Sequence, residues 1–156
     1  MKTDFEFVYG TWAVHNRKLR DTLDDDCTEW VEFDARSVVA PILDGWGHID
    51  RMYVADSPEQ AGFEGFTLRL FDPSSDRWRI YWSATGNPGI LDTPVEGVFV
   101  DGHAIFESTD VLGGRPARVR FEWLTDNPES PVWQQSFSFD DGTTWRHNWT
   151  MTFTRV

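Results

Sequence analysis

The sequence predicts an all-β protein: an antiparallel up-and-down β-barrel of about ten strands. Two observations predict it. Large apolar residues alternate with polar ones along most of the 156 residues, and turn-forming residues interrupt that alternation at short intervals. Closure removes the exposed edges that an open sheet of this size would carry, which favours a barrel over the alternative, a β-sandwich.

Taken in order, residues 4–10 suit a short helical turn and 11–19 a first strand. Residues 21–26 read as a loop. The strands over 28–39 and 46–55 carry apolar residues on both parities, so their inward faces stay open. Residues 58–62 form another loop. Phe66, Leu68 and Leu70 alternate with Thr67 and Arg69, and size and hydrophobicity assign the first three to the inside. Asp72-Pro73-Ser74-Ser75-Asp76 is a turn, followed by Trp78, Ile80 and Trp82 alternating with Arg77, Arg79 and Tyr81. Asp101-Gly102 is a two-residue hairpin signal between strands at 95–100 and 103–111. After Leu112-Gly113-Gly114, the residues Val119, Phe121 and Trp123 alternate with Arg118, Arg120 and Glu122. Beyond Asp126-Asn127-Pro128 come Trp133, Gln135, Phe137 and Phe139, then Trp145, His147, Trp149, Met151 and Phe153. Strict alternation places each of these last two sets on one inner face. With no linker or low-complexity tract, residues 1–156 are expected to form a single domain.

Composition bounds function. There are 14 Lys+Arg against 26 Asp+Glu, a net charge of −12, which disfavours nucleic acid and anionic membranes. The single cysteine, Cys27, excludes an internal disulfide and a multi-cysteine metal site. No apolar run reads as a signal peptide or membrane span, so a cytoplasmic location is expected. Nine Trp and 12 Phe are an unusual load, able either to fill the barrel or to line a site in it.

Ser138-Phe139-Asp140-Asp141-Gly142-Thr143-Thr144-Trp145 matches the Asp-box pattern S-x-D-x-G-x-T-W, read here as a hairpin clasp with Asp140 bonding turn amides and Trp145 facing inward. Gly10-Thr11-Trp12 opens the first strand and Arg155 ends the last. This pairing resembles the structural signature of lipocalin-like proteins of the calycin superfamily, in which the Arg packs across the Trp ring. Residues 62–73, Trp78-Arg79-Ile80-Tyr81-Trp82, Gly113-Gly114-Arg115-Pro116 with Val119-Arg120-Phe121, and 133–155 extend the likeness. They resemble a bacterial branch of that superfamily, a domain of unknown function. The resemblance implies the barrel and no particular activity.

The expected binding site is apolar with a few orienting polar groups: Trp82, Trp123, Trp133 and Trp149 with Gln135, His147 and Asp110. The expected partner is a small apolar or aromatic ligand. An enzyme using His48 with Asp50, or His147 with Asp110, as acid and base is the alternative. A homodimer through an outer face carrying Tyr81, Ile105 and Leu124 is the third reading. His147 occupies a late strand, where haem barrels of the nitrobindin type place their ligand. The second glycine pair of that family is missing after Trp12, however, so no cofactor is expected. His15, His48, His103 and Asp24-Asp25-Asp26 match no metal-ligand spacing, and no catalytic residue is assigned.

Overall fold

A computed structural model describes residues 3–55, 57–58 and 60–156. Ten strands close into one antiparallel barrel, each hydrogen-bonded to its neighbours in sequence, with the last joined to the first. They are β1 (Gly10–Leu19), β2 (Trp30–Ile42), β3 (Gly47–Tyr53), β4 (Glu64–Asp72), β5 (Arg77–Ala84), β6 (Val95–Val100), β7 (His103–Leu112), β8 (Arg115–Leu124), β9 (Val132–Ser138) and β10 (Arg146–Arg155). The only helical segments among the described residues are two 3₁₀ turns, Glu6–Val8 and Leu43–Gly45. The first lies within the expected 4–10 turn. The second was not expected, because its Leu43 and Asp44 adopt positive φ without the usual Gly or Asn. Of the expected 58–62 loop, Glu59 lies outside the described residues.

The lower end is plugged from below. Phe5, fully buried, enters from the first 3₁₀ turn and contacts the rings of His48, Trp78, Phe99, Phe106 and Trp123. Arg155 is directly opposite Trp12 in the β1–β10 ladder, with its guanidinium 4.3 Å from the indole centroid. Its two terminal nitrogens donate to the carbonyls of Tyr9 and Phe7 at 3.0 and 3.1 Å. The expected closure pair therefore stands.

At the upper end, the β9–β10 connection is clasped as expected. Asp140 Oδ1 accepts from the Thr144 amide and the Ser138 hydroxyl, both at 2.8 Å, and Oδ2 accepts from the Thr144 hydroxyl at 2.6 Å. These bonds hold the Asp140 carboxyl down to about 2.

Two assignments of side need correction. The first is in β10, where Arg146 faces Phe137 and His147 faces Ser136, while Trp149 faces Gln135. Asn148 is the extra residue of a β-bulge, so the alternation changes sides there. Trp149, Met151 and Phe153 face in as expected. Trp145 and His147 face out: Trp145 lies under the Arg120 guanidinium at 3.8 Å, and His147 packs on Trp30 at 5.6 Å.

The second correction is β4. Thr67, Arg69 and Phe71 are buried, whereas Phe66 is 38% exposed. Directly opposed residues of an antiparallel pair share a face. Phe71 opposes Trp78, Arg69 opposes Ile80 and Thr67 opposes Trp82, so the apolar inner face of β5 draws polar β4 residues inward. The faces left open in β2 and β3 resolve with Val31, Phe33, Ala35, Ser37 and Val39 buried in one, and His48, Asp50 and Met52 in the other.

Candidate binding cavity

The interior divides into an upper cup and a small cavity below it. The cup has a volume of about 460 Å³. Its walls include Ile80, Trp82, Val119, Phe121, Trp133, Phe137 and Trp149, and its polar groups are Lys18, Thr22, Asn87, Asp92, Thr93, Asp110 and Gln135. Trp149 stands perpendicular to both Trp82 and Trp133, with ring centroids 6.0 and 5.5 Å apart. Edge-to-face indoles of this kind support one another without filling the space between them. Gly65 lets Trp82 lie flat against β4: a Cβ there would come within 2.1 Å of the indole.

The cup wall is incomplete as a sheet. β6 pairs with β5 only from Trp78 to Ile80, while β7 continues upward beyond it. Residues 85–94 cross the gap, anchored by the Asp92 amide donating to the Trp82 carbonyl at 2.9 Å, and Ile90, Leu91 and Asp92 line the cup from that side. Burial and the nearby Asp110 charge raise the Asp92 pKa. Lys18 lies over Trp149 at 4.2 Å, and burial lowers its pKa. Gln135 Nε2 donates to Asn148 Oδ1 at 2.8 Å, which leaves the Gln135 carbonyl oxygen for a ligand.

Below Ile80, Trp82, Phe121 and Trp133, which line both spaces, is a cavity of about 30 Å³. Its remaining walls include Ser37, Asp50, Thr67, Arg69 and Trp123. Asp50 accepts from the Ser37 hydroxyl at 2.6 Å and from Arg69 Nη2 at 3.4 Å. The Arg69 side chain is 5% exposed, and its Nε and Nη1 have no partner; neither does Trp123 Nε1. Burial lowers the Arg69 pKa against the opposing effect of Asp50.

Of the seven expected site residues, Trp82, Trp133, Trp149, Gln135 and Asp110 line the cup together. Trp123 lines the lower cavity instead, where Trp82 and Trp133 also reach. His147 is outside the barrel wall, bonded to the Thr150 hydroxyl at 2.8 Å, because the Asn148 bulge turns it away. The proposed acid–base pairs are not assembled. His48 and Asp50 share the inner face, but neither His48 nitrogen has a hydrogen-bond partner, and His147 and Asp110 are on opposite sides of the wall. Sequence reasoning missed Arg69 and Lys18. The signal for Arg69 was its register opposite Ile80, and for Lys18 its parity with Trp12 and Asn16.

Among the described residues, no group of three or more His, Cys, Asp or Glu side chains is placed to hold a metal ion, and no helix is long and apolar enough to cross a membrane. The sequence matches no family model and no curated protein.

Proposed function

We propose that this barrel binds a small molecule, holding an aromatic or apolar body in the upper cup. The observation that carries the reading is the cavity of about 460 Å³ framed by Trp82, Trp133 and Trp149. That volume lies within the roughly 300–1,000 Å³ usual for ligand sites, and eleven of the eighteen lining residues are apolar, the rest polar or charged. The indoles supply contact area at little conformational cost, while Gln135, Lys18 and Asp110 select among ligands of similar shape. The Trp12–Arg155 closure supports kinship with calycin barrels, and the free Cys27 suits a reducing compartment such as the cytoplasm.

Titration with 2-methylnaphthalene tests the reading. The expected result is saturable quenching of tryptophan fluorescence, with Trp133→Ala weakening binding about tenfold, the loss expected when one large aromatic wall is removed. Absence of saturable binding to the folded wild type overturns the proposal.

A further inference from the structure

We infer that the ligand is a carboxylate, with its body in the cup and its two carboxylate oxygens in the lower cavity against Arg69 and Trp123. The inference rests on the cup holding the ligand body. It starts from an imbalance among buried polar groups. Around the lower cavity, the unpartnered atoms of Arg69 and Trp123 are all donors: Nε, Nη1 and the indole Nε1. Asp50 already accepts one bond at each oxygen, from Ser37 at Oδ1 and from Arg69 Nη2 at Oδ2, and reaches neither Arg69 Nε nor Nη1.

A buried guanidinium is costly unless its N–H groups are bonded, and Arg69 has one ion-pair contact, at 3.4 Å. What is missing is acceptor oxygen. A guanidinium fork matches a carboxylate in geometry as well as charge, and the indole N–H adds a donor that a purely apolar ligand would leave unsatisfied. The cavity of about 30 Å³ suits this terminus. It has room for roughly two water-sized atoms and no more. Ile80, Trp82, Phe121 and Trp133 border both spaces, so a ligand body in the cup lies next to the lower cavity, and movement of these side chains would let its terminus enter. The ring faces of Phe5 and Trp123, 5.3 and 5.7 Å from the Arg69 guanidinium, hold that cation in place without using its N–H groups.

The test compares 2-naphthoate with 2-methylnaphthalene, probes of the same body that differ at the terminus, by fluorescence titration of the full chain at pH 7.5. The wild type should bind 2-naphthoate at least tenfold more tightly. Trp123→Phe keeps the ring and the Arg69–Asp50 pair but removes the indole donor. It should reduce the naphthoate-to-methylnaphthalene affinity ratio three- to tenfold, and Arg69→Met should abolish the preference. Arg69→Met also leaves Asp50 buried without its counter-charge; if that variant does not fold, Trp123→Phe decides alone. Equal affinity of the wild type for both probes overturns the carboxylate while leaving the cup intact as a site. A preference that survives the substitutions puts the carboxylate elsewhere, beside Lys18 for example, and also overturns the inference. Failure of both probes to bind overturns the cup and the carboxylate together.

Discussion

His48 is fully buried against Phe5, Tyr9 and Trp78, and neither ring nitrogen has a partner. Burial, aided by the Arg69 charge, pushes its pKa down from 6.5 to about 2. The folded chain therefore keeps the ring neutral where the unfolded chain protonates it. Below pH 6.5 the unfolded state binds the extra proton, so stability falls as pH falls, by about 1.4 kcal/mol per unit until the folded pKa is reached. Asp92, its pKa raised by burial, works against this: above 3.8 its folded state takes up the proton first, which offsets part of the loss as pH falls. The other shifted groups act in different windows. Asp140 and Asp72, both lowered to about 2, contribute stability that is complete above 3.8 and lost below it. His15, raised chiefly by its bond to Asp34, contributes below 6.5 and loses that contribution as pH rises through its folded value. Between pH 6 and 4.5 the slope should thus come mainly from His48. Urea unfolding across that interval should show it, and His48→Phe should flatten it; an equal slope in the variant would show that the proton goes elsewhere. Alternation put His48 on the same face as Asp50 but left open whether that face is the inner one. Nor did it show that the ring stands unbonded, because its neighbours come from Phe5 and Trp78, far away in sequence.

Strand faces were legible where the inner residues are large and apolar, as in β5, β8 and β9, and misleading where the inner face is polar. In β4 the apolar Phe66, Leu68 and Leu70 alternate as convincingly as any set, yet Thr67 and Arg69 are the buried ones. The turn carried the missing information. Asp72 pairs with Arg77, which sets Phe71 against Trp78 and fixes every later pair up to Gly65 with Ala84. In β10 nothing in the alternation of Trp145, His147 and Trp149 announces a bulge; Asn148 turns inward to accept the Gln135 bond. Gly65 shows how far one element depends on its neighbour. Gly65→Ala would put a methyl within 2.1 Å of Trp82, forcing the indole toward the cup. The expected cost is about 1–3 kcal/mol of stability, the usual range for overpacking, together with weaker 2-methylnaphthalene binding. Adding Trp82→Phe should recover most of the stability, since the smaller ring clears the methyl. No recovery would mean that β4 itself, and not the ring, had given way.

At the scale of the whole molecule the two ends do different work. The upper end carries the cup, the strand gap and residues 85–94 across it; the lower end carries the plug and the closure. The resemblance of Gly10-Thr11-Trp12 and Arg155 to the lipocalin-like signature implied that closure pair. It did not show that one end would be packed solid while the other stayed hollow, since that depends on Phe5 folding under the barrel. Arg155 ties the first and last strands by charge over the Trp12 ring and by donation to the carbonyls of Tyr9 and Phe7, which fixes the segment carrying the plug. Replacing Arg155 by Ala removes both tethers and should lower stability by about 1–2 kcal/mol, the size of one or two hydrogen bonds from a charged donor near the surface. Arg155→Lys should recover less than half of that, because one ammonium cannot reach two carbonyls and cover an indole at once. Both variants should bind 2-methylnaphthalene as the wild type does, since neither touches the cup. Urea unfolding and the fluorescence titration, run on the same two variants, read the two ends separately. If Arg155→Ala leaves the unfolding midpoint unchanged, closure does not depend on this pair. If it weakens probe binding while the fold persists, the lower plug and the upper cup are coupled through the interior, and the division of labour between the ends fails.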